Sequence, residues 1–103
     1  MMYTIAETDQ FIRQVSDVLT DDERLEFFNY LANNPLKGDV IPNAKGLRKI
    51  RCLAKGHGKR GGARVIYYNM LDDGLIVAVA IYPKSERENL SQSQLKQLTK
   101  NKE

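Results

Sequence analysis

The chain has 103 residues, 42% hydrophobic and 28% charged, enough for one domain with a packed core and outside the low-hydrophobicity range of disordered chains. One cysteine, Cys52, and one histidine exclude an internal disulfide and a Cys/His zinc site. The longest apolar run, Leu75–Tyr82, is far shorter than the ~20 residues of a membrane span, and the N-terminal stretch, which carries Glu7, has no signal-peptide core, so a cytoplasmic protein without membrane, metal or cofactor is expected.

In chain order, Tyr3–Glu7 alternates weakly and predicts a short strand. Thr8 and Asp9 then start a helix with Phe11, Ile12, Val15 and Leu19 at helical spacing. Thr20 and Glu23 have the spacing of a capping box and open a second helix, which buries Phe27, Phe28 and Leu31 and stops before Pro35. Residues 35–46 hold Pro35, Gly38, Pro42 and Gly46 and read as a loop. Beyond it the period changes to two. Leu47–Leu53 predicts a strand with Lys49 and Arg51 on one face and Ile50 and Cys52 on the other. Ala63–Met70 predicts a further strand, and the apolar Leu75–Tyr82 a central one, joined by a turn at Asp72-Asp73-Gly74. Ser91 and Gln94 form another capping box, so a short C-terminal helix should lay Leu95 and Leu98 on the sheet or on a partner. The order β-α-α-β-β-β-α, with helices segregated from an antiparallel sheet, predicts an α+β fold in one domain over residues 1–103.

The net charge of +3 is unevenly spread. Residues 45–64 hold Lys45, Arg48, Lys49, Arg51, Lys55, Lys59, Arg60 and Arg64 and no acid, half of the chain's 16 basic residues, whereas residues 1–44 are net acidic. Within this segment the Gly-rich loop from Ala54 to Gly62 could cradle phosphates with its amides, or be a plain solvated hairpin tip. Lys49, Arg51 and Arg64 tip the balance if they share one sheet face, because crowded cations repel unless a polyanion offsets the cost; acids from the N-terminal helices are the alternative partners.

RNA can be cut by its own 2′-OH, given a base, cations on the developing phosphorane charge and an acid for the leaving oxygen. The Arg64 fork matches two phosphate oxygens, and Lys49, Arg51, Lys55 and Lys84 are further charge stabilisers. His57 has the unperturbed pKa of an acid/base group, although a lone loop histidine is more often only a polar loop residue. Tyr82 could stack on a base or donate a proton, or its ring and those of Tyr67 and Tyr68 could simply be buried. By alternation Tyr68, not Tyr67, shares the face of Arg64.

The runs Gly46–Arg51, Lys55–Tyr68 and Ile81–Leu90, with the loop Asn34–Val40 leading into the basic strand, resemble the HigB branch of the RelE/ParE toxin superfamily over nearly the whole chain. The resemblance implies a RelE-like, microbial-RNase-type sheet, ribosome-dependent cleavage of mRNA, and neutralisation by a cognate antitoxin. It assigns Arg64 to the scissile phosphate, Lys49 and Arg51 to the preceding strand's basic positions, and Lys84 to the basic position after the last strand. Arg48, Lys55, Lys59 and Arg60 join the RNA-binding set through their charge. Many RelE toxins carry a catalytic tyrosine near the C-terminal helix; here Ser91 stands at about that position, which leaves base and acid open among His57, Tyr82 and the lysines. Two other functions suit the same chain: a ParE-like inhibitor of DNA gyrase, whose relatives generally lack the full cationic set, and a plain nucleic-acid-binding module.

Overall fold

Two threonines start the helical part of the molecule. In the computed structural model, which describes residues 2–56, 62–87 and 89–100, β1 (Thr4–Glu7) leads to Thr8, whose Oγ1 accepts from the Phe11 N–H at 3.2 Å and begins α1 (Asp9–Val18). Thr20 and Glu23 close the expected capping box, with bonds of 3.0 and 3.2 Å, at the head of α2 (Asp21–Asn33). The chain then enters β2 (Asp39–Val40), β3 (Arg48–Cys52), β4 (Ala63–Met70), β5 (Leu75–Pro83) and α3 (Gln92–Lys100). Between β4 and β5 the turn is a 3₁₀ segment, Leu71–Asp73, ended by Gly74 at φ 72°, the left-handed conformation for which glycine is suited.

The strands form one sheet in the order β1-β5-β4-β3-β2. Three pairings are antiparallel, as the alternation predicts, but β1 lies parallel to β5, so the sheet is mixed. The two-residue β2, set within the stretch read as a loop, is an addition to the predicted order.

Alternation divides the side chains between two layers. Toward α1 and α2 the sheet sends Ile50, Cys52, Ala63, Val65, Tyr67, Ile76, Ala78 and Ile81, which pack with Phe11, Val15, Phe27 and Leu31. Toward α3 it sends Leu47, Ile66, Val77, Val79, Ala80 and Tyr82, covered by Leu95 and Leu98. Full burial of Phe11, Leu31 and Ile66 contributes roughly 1.5–3 kcal/mol each. The C-terminal helix therefore docks on the sheet, with its capping box in place at 2.8 and 3.2 Å and Leu90 packed beside Leu95.

β5 breaks its own alternation once. Ile66 pairs with Ala80 and Tyr67 with Ala78, so Val79 is an extra residue, a β-bulge. Val79 and Ala80 both join the α3 layer, and every residue after them changes face relative to a regular strand. Irregular backbone here finds partners in the N-terminal half: the Val79 carbonyl accepts from the Thr8 hydroxyl at 3.2 Å, and the Ile81 N–H donates to Gln14 Oε1 at 3.1 Å.

The loop after α2 is pinned from beneath. Tyr67 donates its hydroxyl to the Pro35 carbonyl at 2.8 Å and accepts the Gly38 N–H at 2.9 Å, and Asn69 donates to the same Pro35 carbonyl at 2.9 Å. Burial pushes the Tyr67 phenol above its ordinary pKa, which keeps it a donor.

Candidate functional site

Register assembles the site. Arg51 lies directly opposite Arg64, and Arg64 directly opposite Tyr82, so these three stand in one row across β3, β4 and β5 on the face away from α1 and α2. Lys49 shares that face one pleat along, opposite Ile66 and flanked on the outer edge by Asp39 of β2. Tyr82 reaches this face because of the Val79 bulge; a regular strand would have turned it into the N-terminal core. Tyr68 packs on the same side and Tyr67 on the other, as alternation predicts.

Arg64 is only 3% exposed. Its neighbours on the strand, Ala63 and Val65, are fully buried in the opposite layer, so the guanidinium is carried on a rigid stretch of backbone. One of its nitrogens donates to the Ala63 carbonyl at 3.3 Å. Arg51 is exposed beside it, and the Lys49 ammonium donates to Asn89 Oδ1. A cavity of about 510 Å³ opens here, lined by Lys49, Arg51 and Arg64 together with Tyr30, Lys37 and Asp39. Tyr30, Lys37 and Asp39 are additions that sequence reasoning missed. The short β2 that brings Asp39 beside Lys49 is two residues long, too short to leave a periodic signal.

Two acids of the N-terminal half, Glu7 of β1 and Glu23 of α2, have partners away from the row. Glu7 pairs with Arg24 at 2.6 Å, and Arg24 also lies 5.7 Å over the Phe28 ring. Glu23 accepts the Lys55 and Gly56 amides at 2.7 and 3.2 Å, tying the root of the basic loop to the start of α2. The Thr20 backbone N–H above all, and those loop amides, hold the Glu23 carboxyl below its ordinary pKa of 4.5 against a desolvation that raises it.

Other expected site residues have different settings. Arg48 is on the core side of β3, opposite Tyr67, and donates to the Gly38 and Leu36 carbonyls at 2.7 and 3.3 Å. Lys55 is exposed at the loop root. Lys84 follows the end of β5, and its amide donates to the Gly62 carbonyl at 3.0 Å, which places its backbone beside the start of β4. Gly62 itself takes φ 74°, and a Cβ there would fall 2.6 Å from the Cys52 carbonyl oxygen, so glycine is required where the loop rejoins the sheet. His57, Lys59 and Arg60 lie outside the described residues. Cys52 is buried with its thiol pushed up to about 12 by desolvation, which makes it an inert core residue. Among the described residues, no group of three or more His, Cys, Asp or Glu could hold a metal ion, and no helix is long and apolar enough to cross a membrane.

No known sequence family matches the chain. Its structure is similar to that of the E. coli toxin RelE, solved in the free state in a mutant form. The superposition has a TM-score of 0.60 at 12% identity and covers 85% of this chain and 90% of that one. The α+β architecture is thus a RelE toxin fold.

Proposed function

We propose that the chain is the toxin of a toxin–antitoxin pair, of the HigB type, and that it inhibits translation by cutting mRNA on the ribosome. The observation that carries this reading is the row Arg51, Arg64, Tyr82, with Lys49 one pleat away: cations and a phenol on one rigid face beside an open cavity. Such a face attracts a polyanion along its whole path to the site, and its buried member fixes where the phosphate stops.

In the proposed reaction the 2′-oxygen of the ribose attacks the adjacent phosphorus. The O2′–P bond forms, the P–O5′ bond breaks, and the products are a 2′,3′-cyclic phosphate and a free 5′-hydroxyl. Arg64 grips two phosphate oxygens and, with Arg51 and Lys49, stabilises the charge that grows on them in the transition state. The 2′-OH proton leaves to a base and the 5′-oxygen takes one from an acid. Tyr82, directly opposite Arg64, is assigned the proton to the leaving oxygen, and Lys84 and His57 are the further candidates for carrying protons. Lys55, Lys59 and Arg60 are assigned to the RNA backbone beyond the cut. Arg48, turned into loop carbonyls, is assigned a structural role instead. The chemistry is drawn without a metal because the cations supply the charge. A cognate antitoxin, mRNA and the ribosome are the partners of this reading.

In vitro translation of a defined message, with new 5′ ends mapped by primer extension, tests it. Cuts are expected only when ribosomes occupy the message. Undisturbed protein synthesis with no cuts would overturn the reading and favour gyrase inhibition or simple binding.

A further inference from the structure

A capping box needs one oxygen of its glutamate, and Glu23 Oε1 fills that need by accepting the Thr20 N–H at 3.0 Å. The other oxygen, Oε2, accepts two amides of the basic segment, Lys55 at 2.7 Å and Gly56 at 3.2 Å. This junction is packed as well as hydrogen-bonded. A Cβ on Gly56 would overlap Thr20 Cγ2, so glycine is required there for room, while its φ is not positive. The far end of the loop is held separately, by the Lys84 amide on the Gly62 carbonyl. Lys55 therefore leaves the head of α2 next to Arg51: the two line one cavity of about 370 Å³ with Glu23 and Tyr30, and Arg51 and Tyr30 line the cationic cavity too. The carboxylate takes the backbone of Lys55 and not its ammonium, which has no ion pair among the described residues.

We infer that Glu23 is a positioning residue, whose carboxylate seats the root of the basic loop on α2 and so holds Lys55 beside the phosphate row for RNA; the inference rests on the RNA-cleavage reading above. Ordering a long cationic side chain at the moment of binding costs free energy, and a root fixed beforehand removes part of that cost. Charge alone argues the other way. A carboxylate beside a polyanion site repels the ligand, so its removal would tighten binding if Glu23 had no positioning role. The carboxylate is also the group that the junction needs, because a carboxamide has a single acceptor oxygen. In Glu23→Gln either the Thr20 amide or the two loop amides would face an NH2 donor. Such a variant keeps the cap or the tether, and not both.

The test uses the full chain and a labelled single-stranded RNA with 2′-methoxy sugars, which cannot be cut, in fluorescence anisotropy at low salt. The temperature is one at which circular dichroism shows every variant folded. Glu23→Gln is expected to bind the strand roughly two- to tenfold more weakly than the native protein, the range spanned by the ordering of one long side chain. Gly56→Ala, which pushes the root off Thr20 with every charge unchanged, should weaken binding to a similar extent. Adding Thr20→Ser to Gly56→Ala should restore it, since serine keeps the capping oxygen and gives up the methyl that meets the new Cβ. Binding by Glu23→Gln that equals or exceeds the native level overturns the positioning role and leaves the phosphate row standing. Native-like binding by Gly56→Ala, or a defect that Thr20→Ser leaves in place, overturns it too. Failure of the native protein to bind the strand overturns both this inference and the RNA-cleavage reading.

Discussion

The two faces of the sheet are built from the same strands and have opposite fates. On one, Val65, Tyr67, Ile76 and Ala78 are sealed under α1 and α2 with Phe11 and Leu31, all essentially without exposure. On the other, α3 covers only part of the surface, and the remainder carries Lys49, Arg51 and Arg64 beside an open cavity. The core face holds the backbone still: the residues on both sides of the buried Arg64 are anchored in the opposite layer, and the proposed function needs a fork so fixed.

The largest expected effect tests whether the faces separate. Phe11→Ala should cost about 3–5 kcal/mol of unfolding free energy, read by urea denaturation, while the folded fraction cuts RNA at the native rate. A variant that stays stable would mean that α1 adds little to the core. Arg64→Ala gives the converse. Losing one preorganised charge stabiliser is expected to slow cleavage by about 10²–10³, with growth inhibition lost in cells while circular dichroism and the melting temperature stay near native. Retained toxicity in that folded variant would remove Arg64 from the site, and weak activity in Arg64→Lys would show that the fork matters beyond its charge.

Gln14→Ala probes the seam between the faces, because Gln14 lies on α1 and accepts the Ile81 amide beside the bulge, one residue before Tyr82. Leaving that N–H without its partner should cost roughly 1–3 kcal/mol. If the bulge aims Tyr82, cleavage by the folded variant should also fall, with the maximal rate hit harder than RNA affinity. The smallest effect concerns Glu23. Its lowered pKa means that its share of stability is present above its ordinary 4.5 and is lost as pH falls through the depressed native value. Glu23→Gln should therefore be less stable than the native protein near neutrality, and the two melting curves should converge in acid. A constant gap across the acid range would show that the carboxylate charge plays no part.

Much of this arrangement is legible in the residues themselves. Period-two alternation separates Lys49 and Arg51 from Ile50 and Cys52 and distinguishes Tyr68 from Tyr67, and three-residue spacing announces both capping boxes. What escapes depends on distant pairings. Nothing local marks Val79 as a bulge, since it is one apolar residue in a run of them. The parallel placement of β1 is invisible in four weakly alternating residues. Arg48 reads as one more cation of the basic segment until Gly38 and Leu36 claim it. The Asn89–Lys49 contact joins residues forty positions apart, and only the fold brings them together.

The Val79 bulge has one more consequence. It turns an odd step into an even one, so what lies inside and what lies outside at the end of β5 is settled by counting. Insert or delete one residue between Ala78 and Tyr82 and the phenol would point into the layer under α1 and α2 while Ile81 turned to the α3 side, with no side chain altered. Length changes there are expected to be tolerated only in compensating pairs. The placement of Tyr82 is thus written in arithmetic as much as in chemistry.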